Sequence, residues 1–308
     1  MFTRFFSTSK PINFLIIAIG MCFFYTMHVF VSKNTAFSLN EIAMHGLILM
    51  LYVFGMLLID FISRKNKLSQ NSTYTILFYA CFVSSLPLEN FDISLIISQL
   101  FILFALRRII SLRTKKEVKK KLFDASLWIS IAACFYFWSM LFFIILVIAL
   151  IYYASKNYRH WLIPFLGILT CLILVISGYL IVNDTFPIIL EWIQYPSFEF
   201  KTYNNTQLLV PITFLLVMTF WTGFAYLNKV RKTISKFRQV LFIVLYWLAT
   251  TLVIIIITPI KNGAEFFFLV VPLAIVSNTY IENIKEKWFG EALLWITVLL
   301  PFIMLVLS

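Results

Sequence analysis

Five side chains in this sequence stand where a membrane-bound reaction could use them. Glu41 lies in SLNEIAMHG, Glu89 and Asp92 in LPLENFD, and Lys261 and Glu265 in TPIKNGAEFF. Each stretch borders a long apolar run. A carboxylate at a membrane interface can act as general base, taking the proton of an acceptor hydroxyl while a group is transferred from a lipid carrier. Glu41, Glu89 and Asp92 are the candidate catalytic residues. Arg107, Arg108, Arg113 and Lys261 are the candidate lipid- or phosphate-binding residues, because fixed cations pair with phosphate oxygens. Each also has a structural role open to it. Asp92 precedes an apolar run as an N-cap would, Glu265 suits a helix N-terminus, and Lys261 stands at i,i+4 to pair with it.

Other chemistries leave no signature. The sequence has no GxxxxGK[ST] and no GxGxxG, and only eight glycines, so nucleotide binding by either loop is not expected. HExxH and paired-histidine spacings are missing too, and His28, His45 and His160 fall near the ends of apolar segments. Cys22, Cys81, Cys134 and Cys171 each lie inside an apolar run with no CxxC pair. They read as small packed residues, with no redox or zinc site indicated. No metal and no cofactor is expected. A carrier would place ionisable groups at mid-membrane, and the apolar runs are almost clean of them. Asp60 and Arg64, at i,i+4, read as a simple ion pair.

The elements that must hold these residues follow from composition. Of 308 residues, 62% are hydrophobic and 12% charged, about half the roughly 25% charge of a soluble chain. Mean hydropathy is +0.95. Apolar segments run over 12–30, 43–61, 74–87, 93–110, 125–153, 161–182, 208–227, 239–258, 264–281 and 289–307, most of them near the roughly 20 residues that cross a bilayer. Spanning backbone must satisfy its own hydrogen bonds, which leaves helices or a closed barrel. Continuous runs exclude the alternation of a barrel. The expectation is a single all-α, polytopic transmembrane domain over 1–308, which excludes a soluble enzyme and a secreted disulfide scaffold.

Charge orders the segments. The formal charge of +12 sits in short loops beside apolar runs, as the positive-inside rule requires, and not in a nucleic-acid-binding patch. The segment 125–153 decides the count, because it is a helical hairpin or one long helix. With the N-terminus cytoplasmic and 125–153 a hairpin, 22 of the 25 basic residues lie inside; with a single crossing, 15 do. The hairpin is preferred, giving nine crossings plus a re-entrant pair. Residues 107–124 read as a basic cytoplasmic segment, 107–123 as an interfacial helix on an anionic leaflet. Residues 183–207 read as an extracytoplasmic loop with a short helix near 188–194.

SKPINF (9–14), FDASLWISIAACFYFW (123–138), YRHWLIPFLG (158–167) and PIKNGAEFFFLVVPLAIVSNTYIENIKEKWFGEALLW (259–295) resemble an uncharacterised inner-membrane family of flavobacteria and relatives. Some of its members carry a carotenoid-monooxygenase label; the iron of carotenoid oxygenases is held by four histidines, and this chain has three. Its architecture is also similar to GT-C glycosyltransferases, with Glu41 corresponding to their first-loop acid and 125–153 to their dipping helical pair. A single Glu41 replaces the usual aspartates or acidic pair. The GT-C resemblance implies a transferase using a polyprenyl-phosphate-linked donor at the outer leaflet of a bacterial inner membrane. The alternatives are a non-catalytic subunit or scaffold of a cell-envelope complex, and a lipid or small-solute carrier. Expected partners are membrane lipids, a lipid-linked substrate or a membrane-protein partner, and no nucleic acid.

Overall fold

A chain this apolar folds by closing its backbone hydrogen bonds within each helix and sorting helices by how much polar surface each must bury. The computed structural model describes residues 2–32, 38–70, 72–87, 92–155, 157–187 and 193–307. These form twelve α-helices: α1 (Phe2–Phe6), α2 (Pro11–Ser32), α3 (Leu39–Lys65), α4 (Tyr74–Ser84), α5 (Ile93–Ser111), α6 (Val118–Phe135), α7 (Phe143–Ala154), α8 (Arg159–Asn183), α9 (Thr206–Lys232), α10 (Ser235–Ile257), α11 (Phe267–Asn283) and α12 (Lys287–Leu307). No strand occurs among the described residues. Nine helical stretches among them are long and apolar enough to cross a membrane. The chain is a polytopic helical membrane protein.

The nine are not the nine read from the sequence. The helical part of 74–87 is short, since α4 has 11 residues, about 16 Å of rise, but with its flanks the segment runs the length of α11, from Ser72 on Glu282 to Pro87 beside Gly263. By helix length the stretch 137–154 qualifies in its place.

The helices divide into two units, Met1–Ile96 with Glu199–Ile234 and Ile260–Ser308, and Ile97–Phe198 with Ser235–Pro259. In the first unit α4 and α11 form the centre. All eleven residues of α4 are buried, and α11 packs on both α4 and α9, while α2, α3 and α12 pack around α4. Leu208, at the start of α9, approaches Gly263 just before α11. Tyr226 and Lys229 line one cavity with Thr279 and Asn283 at the other end, so α9 and α11 run in the same direction. Buried Asn13, from SKPINF, fastens the N-terminus: its Nδ2 donates to the carbonyls of Phe5 and Thr8 at 3.1 and 2.8 Å and to Thr73 Oγ1 at 3.2 Å. The expected Asp60–Arg64 pair forms at 2.7 Å.

In the second unit the stretch 107–123 is not one interfacial helix. It is the end of α5, a 3-10 turn over Leu112–Thr114, a tight connection with Lys115 and Glu117 in left-handed conformations, and the start of α6. Ile109, Ile110, Leu112 and Leu122 are all buried, so these apolar side chains join the packing of the unit and are withdrawn from any membrane surface. Lys121 Nζ closes the turn by donating to the Ser111 carbonyl at 2.8 Å and to Thr114 Oγ1 at 2.7 Å.

Residues 125–153 do not form one continuous helix. Tyr136 is extended (φ −141°, ψ 105°) and a 3-10 turn over Phe137–Phe142 leads into α7. The hydroxyls of Ser98 and Ser139 are 2.6 Å apart, and α7 packs on the 3-10 turn Leu112–Thr114 that follows α5. Since α5 runs from Ser98 towards Arg113, α7 runs alongside it in the same sense. Helix α6 lies between them in sequence and returns, with Ser98 Oγ donating to the Ala132 carbonyl at 3.0 Å.

Candidate functional site

The first unit has two polar ends. At one, the chain before α11 turns through Gly263 in the left-handed region (φ 89°) and enters a 3-10 turn over Ala264–Phe266. Glycine is needed there twice over. A β-carbon would be strained by φ and would lie 2.8 Å from Leu208 Cδ2 and 3.0 Å from Pro87 Cγ. This turn carries Lys261 and Glu265 inward, to 4% and 1% exposure.

The Tyr203 hydroxyl donates a short hydrogen bond to Glu265 Oε1. The Lys261 ammonium lies 4.6 Å from the centre of the Phe200 ring and attracts the Glu265 carboxylate. Burial holds the Lys261 amine below the ordinary lysine value, against the pull of Glu265 in the opposite direction. Glu265 Oε2 is enclosed and accepts no hydrogen bond from the described residues. A buried carboxylate oxygen without a donor is costly, and buried ionisable pairs of this kind gather where charge is handled. Rings continue from this point: Phe266 meets Tyr203, Phe267 meets Tyr52, and Tyr52 meets Tyr25. Tyr25 shares a 2.7 Å hydrogen bond with His45 Nδ1. Chemically, the cluster offers a cation for an anionic leaving group and a carboxylate oxygen for a proton.

The remaining candidates are dispersed. Glu41 sits in a reciprocal capping box at the start of α3. The Ser38 amide donates to its carboxylate at 2.9 Å, and its own amide donates to Ser38 Oγ at 3.4 Å. Asp92 is exposed, its carbonyl accepting from Leu95 at 3.0 Å as α5 begins. Glu89 lies outside the described residues, as does most of the helix read near 188–194. In the second unit Arg108 pairs with Asp124 at 3.0 Å, Arg113 lies over the Phe237 ring at 5.6 Å, and Arg107 is half-buried. Of the six described candidates, Lys261 is the one held in a buried cluster with an acid. Glu265 was legible as its i,i+4 neighbour, while Tyr203, 62 residues away in sequence, carried no signal.

The opposite end of the unit was not legible. Glu282 Oε1 accepts from Ser72 Oγ at 2.6 Å, the Gln70 amide at 2.8 Å and Ser69 Oγ at 3.2 Å. It lines a cavity of about 660 Å³ rimmed by Arg4 and Lys287.

Among the described residues no group of three or more His, Cys, Asp or Glu could hold a metal ion. No curated protein and no solved structure matches the chain. A family model does match, across residues 1–307. The chain therefore belongs to DUF6427, a family of unknown function.

Proposed function

We propose that this protein is a transferase of a bacterial inner membrane, N-terminus cytoplasmic, that moves a group from a polyprenyl-phosphate-linked donor at the outer leaflet. The observation that carries the reading is the buried Lys261–Glu265 pair where α11 begins, with one Glu265 oxygen to which no described residue donates. The positive-inside count puts this end of the unit on the outer side. In the reaction, the acceptor hydroxyl loses its proton to Glu265 Oε2 as its oxygen bonds to the donated carbon. The carbon–oxygen bond to the carrier phosphate breaks, and Lys261 neutralises the phosphate that leaves. Glu41, engaged in its capping box, supports the entry of α3, and Asp92 that of α5.

The test is native mass spectrometry on protein purified in native-lipid nanodiscs. A stoichiometric polyprenyl-phosphate species should accompany the wild type and be lost in Lys261→Met, while Glu265→Gln should retain the lipid and lose transfer. Wild-type protein free of such lipid, with a defined protein partner instead, would overturn the reading.

That outcome would favour a second reading, a non-catalytic subunit of an envelope complex. Its supporting observation is α8, where Phe165, Leu174 and Ile181 are 68%, 62% and 82% exposed, leaving a broad apolar surface for lipid or a partner helix.

A further inference from the structure

The cysteines do not all behave as isolated packed residues. Cys134, in the last turn of α6, and Cys171, in the middle of α8, bring their sulfurs to 3.8 Å although 37 residues separate them in sequence. Cys134 is exposed and Cys171 buried. The contact is built into the closest helix packing of the second unit. One turn before Cys171, a β-carbon on Gly167 would fall 1.9 Å from Ser126 Oγ and 3.1 Å from the Leu127 backbone nitrogen. Ser126, Ser130 and Cys134 recur every four residues on α6, as Gly167 and Cys171 do on α8, and small residues at that spacing let two backbones approach. The order of the contacts also shows α6 and α8 running in the same direction. A disulfide needs its sulfurs at about 2.05 Å, so closure asks the pair to approach by roughly 1.8 Å on helices already in backbone contact.

We propose that Cys134 and Cys171 are a redox-active dithiol, which closes to a disulfide between α6 and α8 by exchange with a disulfide-bearing partner. Cys134, being exposed, is the entering thiol. Its thiolate attacks one sulfur of the partner's disulfide; that bond breaks, and the released partner thiolate takes up a proton. The mixed disulfide on Cys134 is then attacked by Cys171, which has given up its own proton, and the second partner thiol leaves. Two electrons and two protons pass from the pair to the partner, which ends as two thiols. Closure fixes α8, the most exposed of the nine spanning stretches, to α6.

The experiment treats the reduced full-length protein in nanodiscs with 4,4′-dithiodipyridine, a membrane-permeant disulfide, and maps the products by mass spectrometry. In the wild type the pair should release two equivalents of thiopyridone and yield a linked Cys134–Cys171 peptide that retains no thiopyridyl group. In Cys171→Ser the thiopyridyl group should stay on Cys134, and in Cys134→Ser buried Cys171 should remain unmodified. A wild-type protein with a stable thiopyridyl adduct on Cys134 and no linked peptide would overturn the proposal, as would a Cys134 that does not react. The wild-type measurement needs no substitution, so a folding defect in a variant cannot imitate either result.

Discussion

The phenol of Tyr203 donates to the carboxylate of Glu265 across 62 residues of sequence, joining the approach to α9 to the turn that opens α11. Both partners lie in the first unit, beside the buried amine of Lys261, so the bond ties two loops together around a charge that the protein has withdrawn from water.

Removing that donor should be costly. Tyr203→Phe keeps the ring and its contact with Phe266 but leaves a second Glu265 oxygen without its phenol. A loss of about 1–3 kcal/mol is expected for a buried acceptor stripped of its partner. Thermal unfolding in detergent measures it. In a Glu265→Gln background the same change should cost less, and equal costs in both backgrounds would show the two residues to be independent.

Lys261 gives the stability a sign with pH. Burial lowers its amine below the value in the unfolded chain, so between the two values the unfolded chain holds more protons than the folded one. Stability should therefore rise as pH increases through the window just below the ordinary lysine value of about 10.4. The cost of burying the charge is fully present below the folded-state value and relieved as pH rises from there to the unfolded one. Lys261→Met should flatten the rise, which difference unfolding curves for the two proteins would measure. A steeper rise in the variant would refute the assignment.

Two glycines should respond oppositely to alanine. Gly263→Ala meets Leu208 and Pro87 and adopts a positive φ, for which a penalty of roughly 1–3 kcal/mol is expected. Gly46, inside α3, has nothing within 4 Å of a new β-carbon, and alanine there should stabilise by up to about 1 kcal/mol through helix propensity. Melting temperatures of the two variants, measured side by side, should move in opposite directions.

The α6–α8 crossing should not tolerate a methyl group. Gly167→Ala places a β-carbon against Ser126 and the Leu127 backbone, an overpacking worth about 1–3 kcal/mol. It should also slow closure of the Cys134–Cys171 pair by holding the helices apart. Ser126→Gly in the same chain should restore part of both. Thermal unfolding and the yield of linked peptide read the two effects separately.

Sidedness is tested by single cysteines in a chain whose native cysteines are replaced. Lys116→Cys and Lys232→Cys should be labelled only after the membrane is opened, and Lys201→Cys in intact spheroplasts. Labelling of Lys232→Cys from outside would invert the second half of the topology.

Composition and the lengths of the apolar runs determined, without any tertiary information, that this chain is helical and crosses a membrane many times, because backbone in hydrocarbon must close its own hydrogen bonds. The same reading found the Asp60–Arg64 pair and put Lys261 beside Glu265, both consequences of the 3.6-residue period of one helix or turn. It could not tell that residues 74–87 contain a short buried helix, since a fully enclosed helix and a lipid-facing one are equally apolar. Tertiary structure alone decided that Lys261 and Glu265 are buried within the protein, that Tyr203 is their neighbour, that Glu282 gathers three donors from the loop before α4, and that Cys134 meets Cys171. Each of these joins positions tens to hundreds of residues apart. A pattern read along one chain carries periodicity, but which faces meet is set by the packing of small residues such as Gly167 on Ser126, and that is a property of two helices at once.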